Sequence, residues 1–381
     1  MQHCYRHRSG YDVDDSINCP PRVDSRSDFL VSCHKRGSAI ATASLQCVCS
    51  IHFFQGSPMS TKTFLVTGGN GFVGRALIGQ LLASADCRVV APLRRAETAV
   101  DPRMRAIQWS GLGSGQDLSE ALQGVDCVIH AAARVHVMKE VTVDPLAAFR
   151  QVNVQGTLDL ARQAAAAGVR RFIFVSSIKV NGEGTPPGRP YCADDVPAPV
   201  DPYGISKYEA EQVLQALAKE TGMEVVIIRP VLVYGPGVKA NFLGMMRWLV
   251  RGVPLPFGTV DNRRSLLGLD NLIDLLLTCV EHPAAANQVF LASDGEDVST
   301  TQLLRRLGIA LGRPARLVPV PVGLMSGVAR LLGREALSQR IFGSLQVDIS
   351  KNRQLLNWVP PVPLDRALSL TAQHFLDTRE I

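Results

Sequence analysis

A glycine-rich segment between a short apolar run and a helical stretch constrains the fold of this chain more than any other feature. The apolar run covers residues 64–66, and the segment after it reads Thr67-Gly68-Gly69-Asn70-Gly71-Phe72-Val73-Gly74. At this spacing Gly68 allows a tight turn, Gly71 lets the backbone approach a pyrophosphate, and Gly74 lets the helix pack close to the strand. Backbone amides at the start of that helix can then hold phosphate groups. The segment predicts a dinucleotide-binding loop; a glycine-rich turn without a ligand is the alternative. Its predicted contacts are Gly68, Asn70, Gly71, Phe72, Val73 and Gly74.

Downstream of this loop, short apolar runs alternate with helical stretches. The runs at residues 64–66, 89–91, 127–129, 172–175 and 225–228 have the length and composition of buried parallel strands. The helical stretches between them cover residues 72–83, 145–167 and 203–220. This alternation predicts an α/β fold, a Rossmann-type doubly wound parallel sheet with helices on both faces.

Three segments of different character divide the chain. Residues 1–58 are rich in Ser, Arg, Asp and Cys and have neither helical nor strand periodicity. They are interpreted as a disordered leader or an extension upstream of the native start; a secretory signal is the alternative. Residues 59–235 form the predicted NAD(P)-binding domain, whose sheet is completed by parts of 262–292. Residues 236–381, where the strand–helix rhythm breaks, form mainly a smaller C-terminal substrate-binding cap.

Composition and charge argue against several classes of function. The nine cysteines are dispersed without metal-ligand spacing, which indicates free thiols in a reducing compartment. We therefore expect a cytoplasmic protein without a metal site. The net charge of +6 is mild, and no basic run indicates binding to nucleic acid. No apolar run reaches the roughly 18 residues that a membrane span requires.

The end of the second predicted strand indicates which dinucleotide the loop binds. An acidic residue at this position accepts a hydrogen bond from the ribose 2′-hydroxyl of NAD. Here the strand runs into Arg94 and Arg95, and a guanidinium fork matches a 2′-phosphate. The sequence therefore favours NADP over NAD, with both arginines as contacts; solvated loop charges are the alternative.

Three further residues are candidates for the cofactor site. Ala131 and Ala132 follow the fourth predicted strand, where small side chains leave room for an adenosine. Asn153 lies in the middle of a predicted helix, where Asn is unfavourable. We interpret Asn153 as a polar contact at the centre of the sheet; an exposed helix position is the alternative.

A tyrosine and a lysine four residues apart indicate proton transfer. Tyr203 and Lys207 project from the same face of a predicted helix. The ammonium is expected to lower the pKa of Tyr203, whose phenol can exchange a proton with a substrate hydroxyl or carbonyl during hydride transfer. The same lysine can hydrogen-bond the nicotinamide ribose. A surface pair on an amphipathic helix is the alternative.

A serine after the strand-like run at residues 172–175 supports the same chemistry. Ser177 lies at the end of this run, at the carboxyl edge where open α/β sheets bind ligands. Its hydroxyl can hold the substrate oxygen during proton transfer. Ser176 is the competing candidate, and a serine that caps a turn is the alternative for both.

The glycine loop, Ser177 and the Tyr203–Lys207 pair together resemble the extended short-chain dehydrogenases, the epimerase/dehydratase family of nucleotide-sugar enzymes. The resemblance covers the chain from about Thr63 to Asp377. Within the family, the chain is similar to the UDP-glucose 4-epimerase-like proteins. The resemblance implies a Ser177–Tyr203–Lys207 triad and a bound nicotinamide. It also implies a homodimer formed through the helices at 145–167 and 203–220.

The resemblance further implies contacts to cofactor and substrate in the second half of the chain. Arg229-Pro230 and the segment 233–237 are similar to the family segment that leads into the substrate lobe, with Pro230 beside the cofactor. Asn241, Arg263 and Arg264 stand where relatives contact the nucleotide diphosphate, a group that suits an arginine fork. Solvent exposure is the alternative for the two arginines.

Two departures from the family pattern bear on cofactor binding and on the type of reaction. Residues 109–112 read Trp-Ser-Gly-Leu in place of the usual Gly-Asp, so the adenine contact is missing or comes from Asp117. Ile178 and Lys179 stand where sugar dehydratases carry Asp-Glu, which argues against dehydration. The expectation is a 4-keto reductase or a 4-epimerase of a UDP-sugar in bacterial O-antigen synthesis. The alternatives are a reductase of a steroid- or flavonoid-like carbonyl and a non-catalytic NAD(P)-binding sensor.

Overall fold

Seven parallel strands form the central sheet of the computed structural model, which describes residues 61–95, 101–135, 144–186, 188–333 and 335–378. The predicted leader, residues 1–58, lies outside the described residues. The described strands are β1 (Lys62–Thr67), β2 (Cys87–Leu93), β3 (Met104–Gln108), β4 (Cys127–His130), β5 (Arg171–Val175), β6 (Glu224–Pro230), β7 (Leu232–Tyr234), β8 (Arg264–Gly268), β9 (Val289–Ala292) and β10 (Asp297–Val298). The sheet order is β3-β2-β1-β4-β5-β6-β9, and every pair in it is parallel.

Helices connect these strands and make up most of the second half of the chain. The described α-helices are α1 (Phe72–Ala83), α2 (Ser119–Leu122), α3 (Pro145–Phe149), α4 (Gly156–Ala166), α5 (Pro202–Thr221), α6 (Ala240–Val250), α7 (Leu269–Glu281), α8 (Thr300–Ala310), α9 (Val322–Leu331), α10 (Glu335–Phe342), α11 (Ser350–Leu356) and α12 (Leu364–Asp377). Short 3₁₀ turns lie at Ile178–Val180 and Pro283–Ala285. A π-helical turn, Arg150–Gln155, joins α3 to α4 without a break.

Local sequence signals set the ends of α5, the helix that carries the tyrosine and the lysine. The side chain of Asp201 accepts a 2.6 Å hydrogen bond from the backbone amide of Gly204, and Pro202 occupies the first turn. Gly222 ends the helix in the left-handed region, at a φ of 78°. The predicted helix at 203–220 therefore matches the observed one to within a residue at each end.

Apolar side chains cover both faces of the sheet, because alternate residues of each strand point to opposite sides. On one face Val66 of β1 packs in a core with Leu77 of α1 and Leu272 of α7. On the other face its neighbour Leu65 packs in a core with Leu160 of α4 and Leu214 of α5. Helices on both faces of a parallel sheet confirm the predicted Rossmann-type α/β fold.

Two strands of the central sheet lie outside the apolar runs predicted to be strands. β3 is an edge strand with no fully buried residue, so its sequence has no continuous apolar run. β9 comes from the second half of the chain, within the range 262–292 that was expected to complete the sheet. Both strands depend on long-range pairing, which local sequence patterns do not report.

The second half of the chain adds a small sheet and a third core. Strands β7, β8 and β10 form a sheet in the order β10-β8-β7. Helices α6, α8 and α12 pack around buried side chains such as Tyr234, Phe242 and Phe375. Among the described residues, no helix combines the length and the apolar content needed to cross a membrane.

The order of the strands places a crevice at one edge of the central sheet. The chain leaves β1 toward β2 on one side, and later returns through β4 on the other side. The loops after β1 and β4 therefore diverge at their carboxyl ends, which is where open α/β sheets bind ligands. The glycine loop, Ser177 and the start of α5 all lie at this edge.

Candidate active site

The glycine loop follows β1 and leads directly into α1. Gly68 has a φ of 74°, and a Cβ there would lie 2.9 Å from the backbone nitrogen of Ala132. A Cβ on Gly74 would lie 2.2 Å from the carbonyl oxygen of Gly68. Both positions therefore require glycine, one for the turn and one for the close approach of α1 to the turn.

The start of α1 leaves its amide groups available to a ligand. Gly71 is the N-cap; no side chain caps the helix, and its first turn carries no acidic residue. Asn70 is exposed, whereas Phe72 and Val73 are half-buried in the first turn. Unpaired amides and the positive end of the helix dipole suit a phosphate group.

The end of β2 carries two exposed cations. Arg94 and Arg95 are both exposed, and the backbone carbonyl of Arg94 accepts a 3.0 Å hydrogen bond from Gln108. The next residues, 96–100, lie outside the described part of the chain. The two described residues after β2 thus offer guanidinium groups and no carboxylate.

A buried chain of hydrogen bonds holds the ends of β1 and β4 together. The two ring nitrogens of His130 lie 2.7 Å from the Thr67 hydroxyl and 3.0 Å from the Thr157 hydroxyl. The backbone amide of Ala132 donates to the same Thr67 hydroxyl at 3.1 Å. Burial lowers the pKa of His130 to about 3, so the ring is neutral at physiological pH.

This chain of hydrogen bonds fixes the loop in which Ala131 and Ala132 lie. Both alanines are half-buried, and their backbone lines the turn at Gly68. Sequence reasoning gave His130 no role, although a histidine at the end of a buried strand was the available signal. The small side chains of Ala131 and Ala132 let this loop lie close to the backbone of the glycine loop.

Asn153 lies in the π-helical turn and is buried. Its amide nitrogen donates 3.0 Å hydrogen bonds to the backbone carbonyl of Arg134 and to the Ser206 hydroxyl. Its amide oxygen accepts a 2.8 Å bond from the backbone amide of Arg134. The alternative of an exposed position is therefore wrong. The amide hydrogens of Asn153 hold the loop after β4 against α5.

The two adjacent serines after β5 have different partners. Ser176 is buried and donates a 2.5 Å hydrogen bond to the carboxylate of Glu211. Ser177 is half-buried, and its hydroxyl lies close enough to the phenol of Tyr203 to lower the pKa of that phenol. The hydroxyl of Ser177 also accepts a 3.3 Å bond from the backbone amide of Lys179. The structure thus brings Ser177, not Ser176, to the tyrosine.

The pKa of Tyr203 is raised to about 12, in the direction opposite to the sequence-based expectation. Burial is the largest cause, the charge of Asp201 adds to it, and the hydrogen bond with Ser177 opposes both. The expectation was wrong because it counted the nearby ammonium and ignored desolvation. Tyr203 is therefore a neutral phenol at physiological pH in the protein without ligands.

Lys207 is buried beneath the tyrosine on α5. Its ammonium donates a 2.7 Å hydrogen bond to the carbonyl oxygen of Val175 and lies 4.1 Å from the centroid of the Phe174 ring. Burial lowers the pKa of Lys207 to about 7, whereas the charge of Glu211 raises it. The surface-pair alternative for Tyr203 and Lys207 is therefore wrong.

Some of the candidate substrate contacts are exposed, and others are already held by contacts within the protein. Asn241, in the first turn of α6, and Arg263 are exposed. Arg264 is half-buried, and its guanidinium donates a 2.9 Å hydrogen bond to the carbonyl of Gly343. Pro230 is buried at the end of β6. Of the two arginines, only Arg263 is therefore exposed.

Comparison with known proteins decides the family. The sequence pattern of the NAD dependent epimerase/dehydratase family matches residues 64–292. A Vibrio cholerae protein named UDP-glucose 4-epimerase is 48% identical over 316 residues, which cover 83% of this chain and 96% of that protein. The chain belongs to the NAD-dependent epimerase/dehydratase family. The predicted resemblance to extended short-chain dehydrogenases is confirmed.

Solved structures of the same family share the fold. The UDP-glucose 4-epimerase of Thermotoga maritima, solved with UDP-glucose, superposes with a TM-score of 0.67 at 25% identity, over 84% of this chain and all (100%) of that one. MoeE5 in complex with UDP-glucuronic acid and NAD gives a TM-score of 0.67 at 25% identity, over 83% of this chain and 99% of that one. As a family member, the chain is an enzyme of the NAD-dependent epimerase/dehydratase type.

The sequence analysis gave no role to two buried charged residues near Lys207. Glu211 and Arg229 form a buried ion pair at 2.6 Å behind Lys207. Glu211 lies one helical turn after Lys207, and Arg229 immediately precedes Pro230. Their spacing was visible in the sequence, but their burial and their pairing were not. Among the described residues, no cluster of His, Cys, Asp or Glu side chains could hold a metal ion.

Proposed function

We propose that this enzyme is a 4-epimerase of a UDP-sugar, with a nicotinamide dinucleotide bound at the glycine loop. The observation that carries the proposal is the position of the Ser177 hydroxyl beside the phenol of Tyr203, at the carboxyl edge of the sheet. A phenol and a hydroxyl placed together can bind one substrate oxygen and move its proton. The 48% identity to the Vibrio cholerae UDP-glucose 4-epimerase supports the choice of reaction and substrate.

The residues at the loop fit a nicotinamide dinucleotide. The uncapped first turn of α1 offers amides to a pyrophosphate, and side chains at Gly68, Gly71 or Gly74 would fill the turn that presents them. Ala131 and Ala132 border the turn, and Pro230, Tyr203 and Lys207 lie where the nicotinamide end would bind. When bound, this cofactor accepts a hydride from the sugar carbon and returns it, which is the redox chemistry that epimerisation needs.

Tyr203 is the proposed acid and base at the sugar hydroxyl. Its phenol takes the proton of the C4 hydroxyl as that carbon is oxidised and gives it back when the carbonyl is reduced. Ser177, which lies beside the phenol, holds the same oxygen and stabilises the charge that develops on it. Because the pKa of Tyr203 is raised to about 12, the phenol needs a nearby cation to act as a base.

Lys207 is the proposed source of that cation. Its ammonium lies on the same face of α5 as the phenol and is held by the carbonyl of Val175. A protonated Lys207 favours the phenolate, and a neutral one does not. Since its pKa is about 7, this support is lost as the pH rises above neutrality.

Two exposed polar residues are the proposed contacts to the diphosphate of the substrate. Arg263 is exposed beside β8 and Asn241 is exposed at the start of α6. A guanidinium can bind two phosphate oxygens at once. Arg264 supports this region from behind through its bond to Gly343.

NADP and the 4-keto reductase remain the second candidate, because of one observation. Arg94 and Arg95 are both exposed where an NAD site usually carries an acid. Guanidinium groups there suit the 2′-phosphate of NADPH, and a dissociable NADPH suits a single reduction. The NAD in the MoeE5 complex favours the opposite choice for that protein.

The purified full-length enzyme tests these alternatives with three substrates. We expect UDP-glucose to be converted to UDP-galactose by protein that retains its cofactor, without added reductant. UDP-N-acetylglucosamine and a UDP-4-keto-6-deoxy sugar are the other two substrates. NADPH consumption with the keto sugar, without interconversion of the other two, would overturn the epimerase and establish the reductase.

Matched tyrosine variants control this experiment. Tyr203→Phe should lower kcat by about 10²–10⁴-fold, whereas Tyr208→Phe on the same helix should leave it unchanged. Full activity of Tyr203→Phe would remove the basis of the proposal. Mass spectrometry of the retained cofactor identifies NAD or NADP in the same samples.

We also propose the cellular setting and the assembly that the sequence predicts. A role in bacterial O-antigen sugar synthesis and a cytoplasmic location agree with a UDP-sugar substrate. The proposed homodimer forms through α3, α4 and α5, next to the partly exposed ion pair of Arg150, in the π-helical turn, with Glu209 of α5. Light scattering of the purified enzyme measures the assembly.

A further inference from the structure

Four buried polar side chains form a closed cluster behind Tyr203 and Lys207. Arg229 donates to both carboxylate oxygens of Glu211 at 2.6–3.2 Å and to the side-chain oxygen of Asn181 at 3.0 Å. Ser176 donates to the same carboxylate at 2.5 Å. The side chains of Arg229 and Glu211 are 4% and 2% exposed. A buried ion pair of this kind is weak evidence for stability, because desolvation offsets its attraction.

The cluster ties the catalytic helix to the end of β5. Lys207 bonds to the carbonyl of Val175 at 2.7 Å, and Glu211, one turn later on α5, bonds to the hydroxyl of the next residue, Ser176, at 2.5 Å. Ser176 in turn bonds through its backbone amide to the carbonyl of Ile228 on β6, at 2.7 Å. Two successive residues of the β5 edge therefore hold two successive turns of α5.

The charges around Lys207 give the cluster an electrostatic role as well. Glu211 on the same helix is the negative charge that raises the pKa of Lys207, and Arg229 on β6 neutralises it from behind. His130 on β4 faces Lys207 but is neutral, because its own pKa is about 3. Tyr203 on α5 is a neutral phenol in the protein without ligands.

Charges on the other elements packed against α5 are paired with one another. Arg150 of the π-helical turn pairs with Glu209 at 2.6 Å. Lys179 of the 3₁₀ turn pairs with Asp201 and, at 2.9 Å, with Glu183. Glu211 is therefore the carboxylate that supports the buried ammonium.

We propose that Glu211, balanced by Arg229, is a positioning residue that keeps Lys207 protonated and fixes it beneath Tyr203. This inference rests on the proposed function, since the supported pair is the one that moves the proton. It assigns to the Glu211–Arg229 pair a part in the reaction, in addition to its part in the fold.

The pH dependence of kcat with UDP-glucose tests the proposal. Glu211→Gln keeps the shape of the side chain but removes its charge, so Arg229 then repels the ammonium of Lys207. We expect the alkaline limb of the kcat profile to move to lower pH by about one unit or more. The double variant Glu211→Gln/Arg229→Met removes the repulsion as well as the support, so the limb should move only part of the way back toward its wild-type position.

A second ion pair in the same sheet, whose arginine is buried and whose carboxylate is half-buried, provides the control. Arg171 of β5 is 1% exposed and pairs at 2.7 Å with Glu224, at the opposite end of the same two strands. Glu224→Gln should lower the thermal stability without moving the alkaline limb. If Glu211→Gln also lowers the stability and leaves the limb in place, the cluster is structural only and the inference is overturned.

A titration of Lys207 itself separates this inference from the proposed function. Lysine is an infrequent residue in this chain, so ¹³C-labelled lysine gives few side-chain signals, and the one missing in Lys207→Arg identifies Lys207. We expect the pKa of this signal to fall in Glu211→Gln and to recover only in part in the double variant. If the wild-type enzyme converts no UDP-sugar, the proposed function fails, while this titration still decides the inference.

A milder variant covers the case in which Glu211→Gln does not fold. Glu211→Asp keeps the charge but withdraws it by one methylene from Ser176 and Lys207. Its Lys207 signal should shift in the same direction by less than that of the glutamine variant. An unchanged signal in a folded Glu211→Asp protein would also overturn the inference.

Discussion

The ammonium of Lys207 donates a 2.7 Å hydrogen bond to the backbone carbonyl of Val175, the last residue of β5. This bond places the buried cation under the edge of the sheet where Ser177 and Tyr203 meet. A cofactor ribose would have to compete with this carbonyl for the same ammonium. On the proposed function, the edge of β5 is part of the catalytic apparatus, so substitutions beside it should alter catalysis.

The two adjacent serines are expected to respond differently to the same substitution. Ser177→Ala removes the hydroxyl beside the phenol of Tyr203, so kcat should fall by about 10²-fold, with a stability change within about 0.5 kcal/mol. Ser176→Ala removes a donor from a buried carboxylate and should cost about 1–3 kcal/mol of folding free energy. Initial rates and urea unfolding of both variants measure these effects. The reverse pattern would exchange the roles of the two serines.

Two glycines of α1 provide a matched test of the cofactor loop. A Cβ on Gly74 would lie 2.2 Å from the carbonyl oxygen of Gly68, so Gly74→Ala should displace the loop and abolish cofactor retention. Gly79 is exposed on the same helix, and a Cβ there would meet open space, so Gly79→Ala should stabilise the fold by about 0.5–1 kcal/mol. The test is to measure how much cofactor each purified variant retains. Retention by Gly74→Ala at the wild-type level would contradict the assignment of the loop.

Substitutions of the two adjacent arginines at the start of β8 are expected to have different effects, one on substrate binding and the other on stability. Arg263→Ala removes an exposed cation and should raise KM for the UDP-sugar about tenfold or more, with an unchanged melting temperature. Arg264→Ala removes the donor to the carbonyl of Gly343 and should cost about 1–2 kcal/mol of folding free energy. Steady-state kinetics at two ionic strengths and thermal unfolding check both. An unchanged KM in Arg263→Ala would exclude this residue as a diphosphate contact.

His130 is expected to make the fold sensitive to acid. Its pKa falls from 6.5 to about 3 on burial, so below pH 6.5 the unfolded chain binds a proton that the folded protein excludes. Its contribution to stability is therefore present above pH 6.5 and declines as the pH falls toward 3. Urea midpoints at pH 7.5 and pH 5 should differ more in the wild type than in His130→Gln. Equal differences in the two proteins would show that another group controls acid unfolding.

Local sequence patterns were sufficient for the parts of the site that depend on backbone geometry. The glycine loop was predictable because Gly68 and Gly74 are needed wherever a strand turns tightly into a helix. The shared face of Tyr203 and Lys207 followed from helical periodicity alone. The choice between Ser176 and Ser177 was harder, because a difference of one residue at the end of a strand decides which side chain is buried.

Long-range burial explains what the sequence did not reveal. The raised pKa of Tyr203 and the ion pair of Glu211 with Arg229 depend on packing between β5, β6 and α5. Residues 18 positions apart, such as these two, leave no local pattern that marks them as partners. The inward position of Asn153 likewise depends on the π-helical turn, which helical periodicity at 3.6 residues does not anticipate.

That wide turn at Arg150–Gln155 limits how this region can change in evolution. A π-helical turn is an α-helix that has gained one residue, and its loss would rotate one flank of the helix by about 100° relative to the other. Asn153 would then swing away from Arg134 and Ser206, and the loop after β4 would lose its tether. Homologous chains that keep the tether should therefore tolerate substitutions in this turn but not deletions.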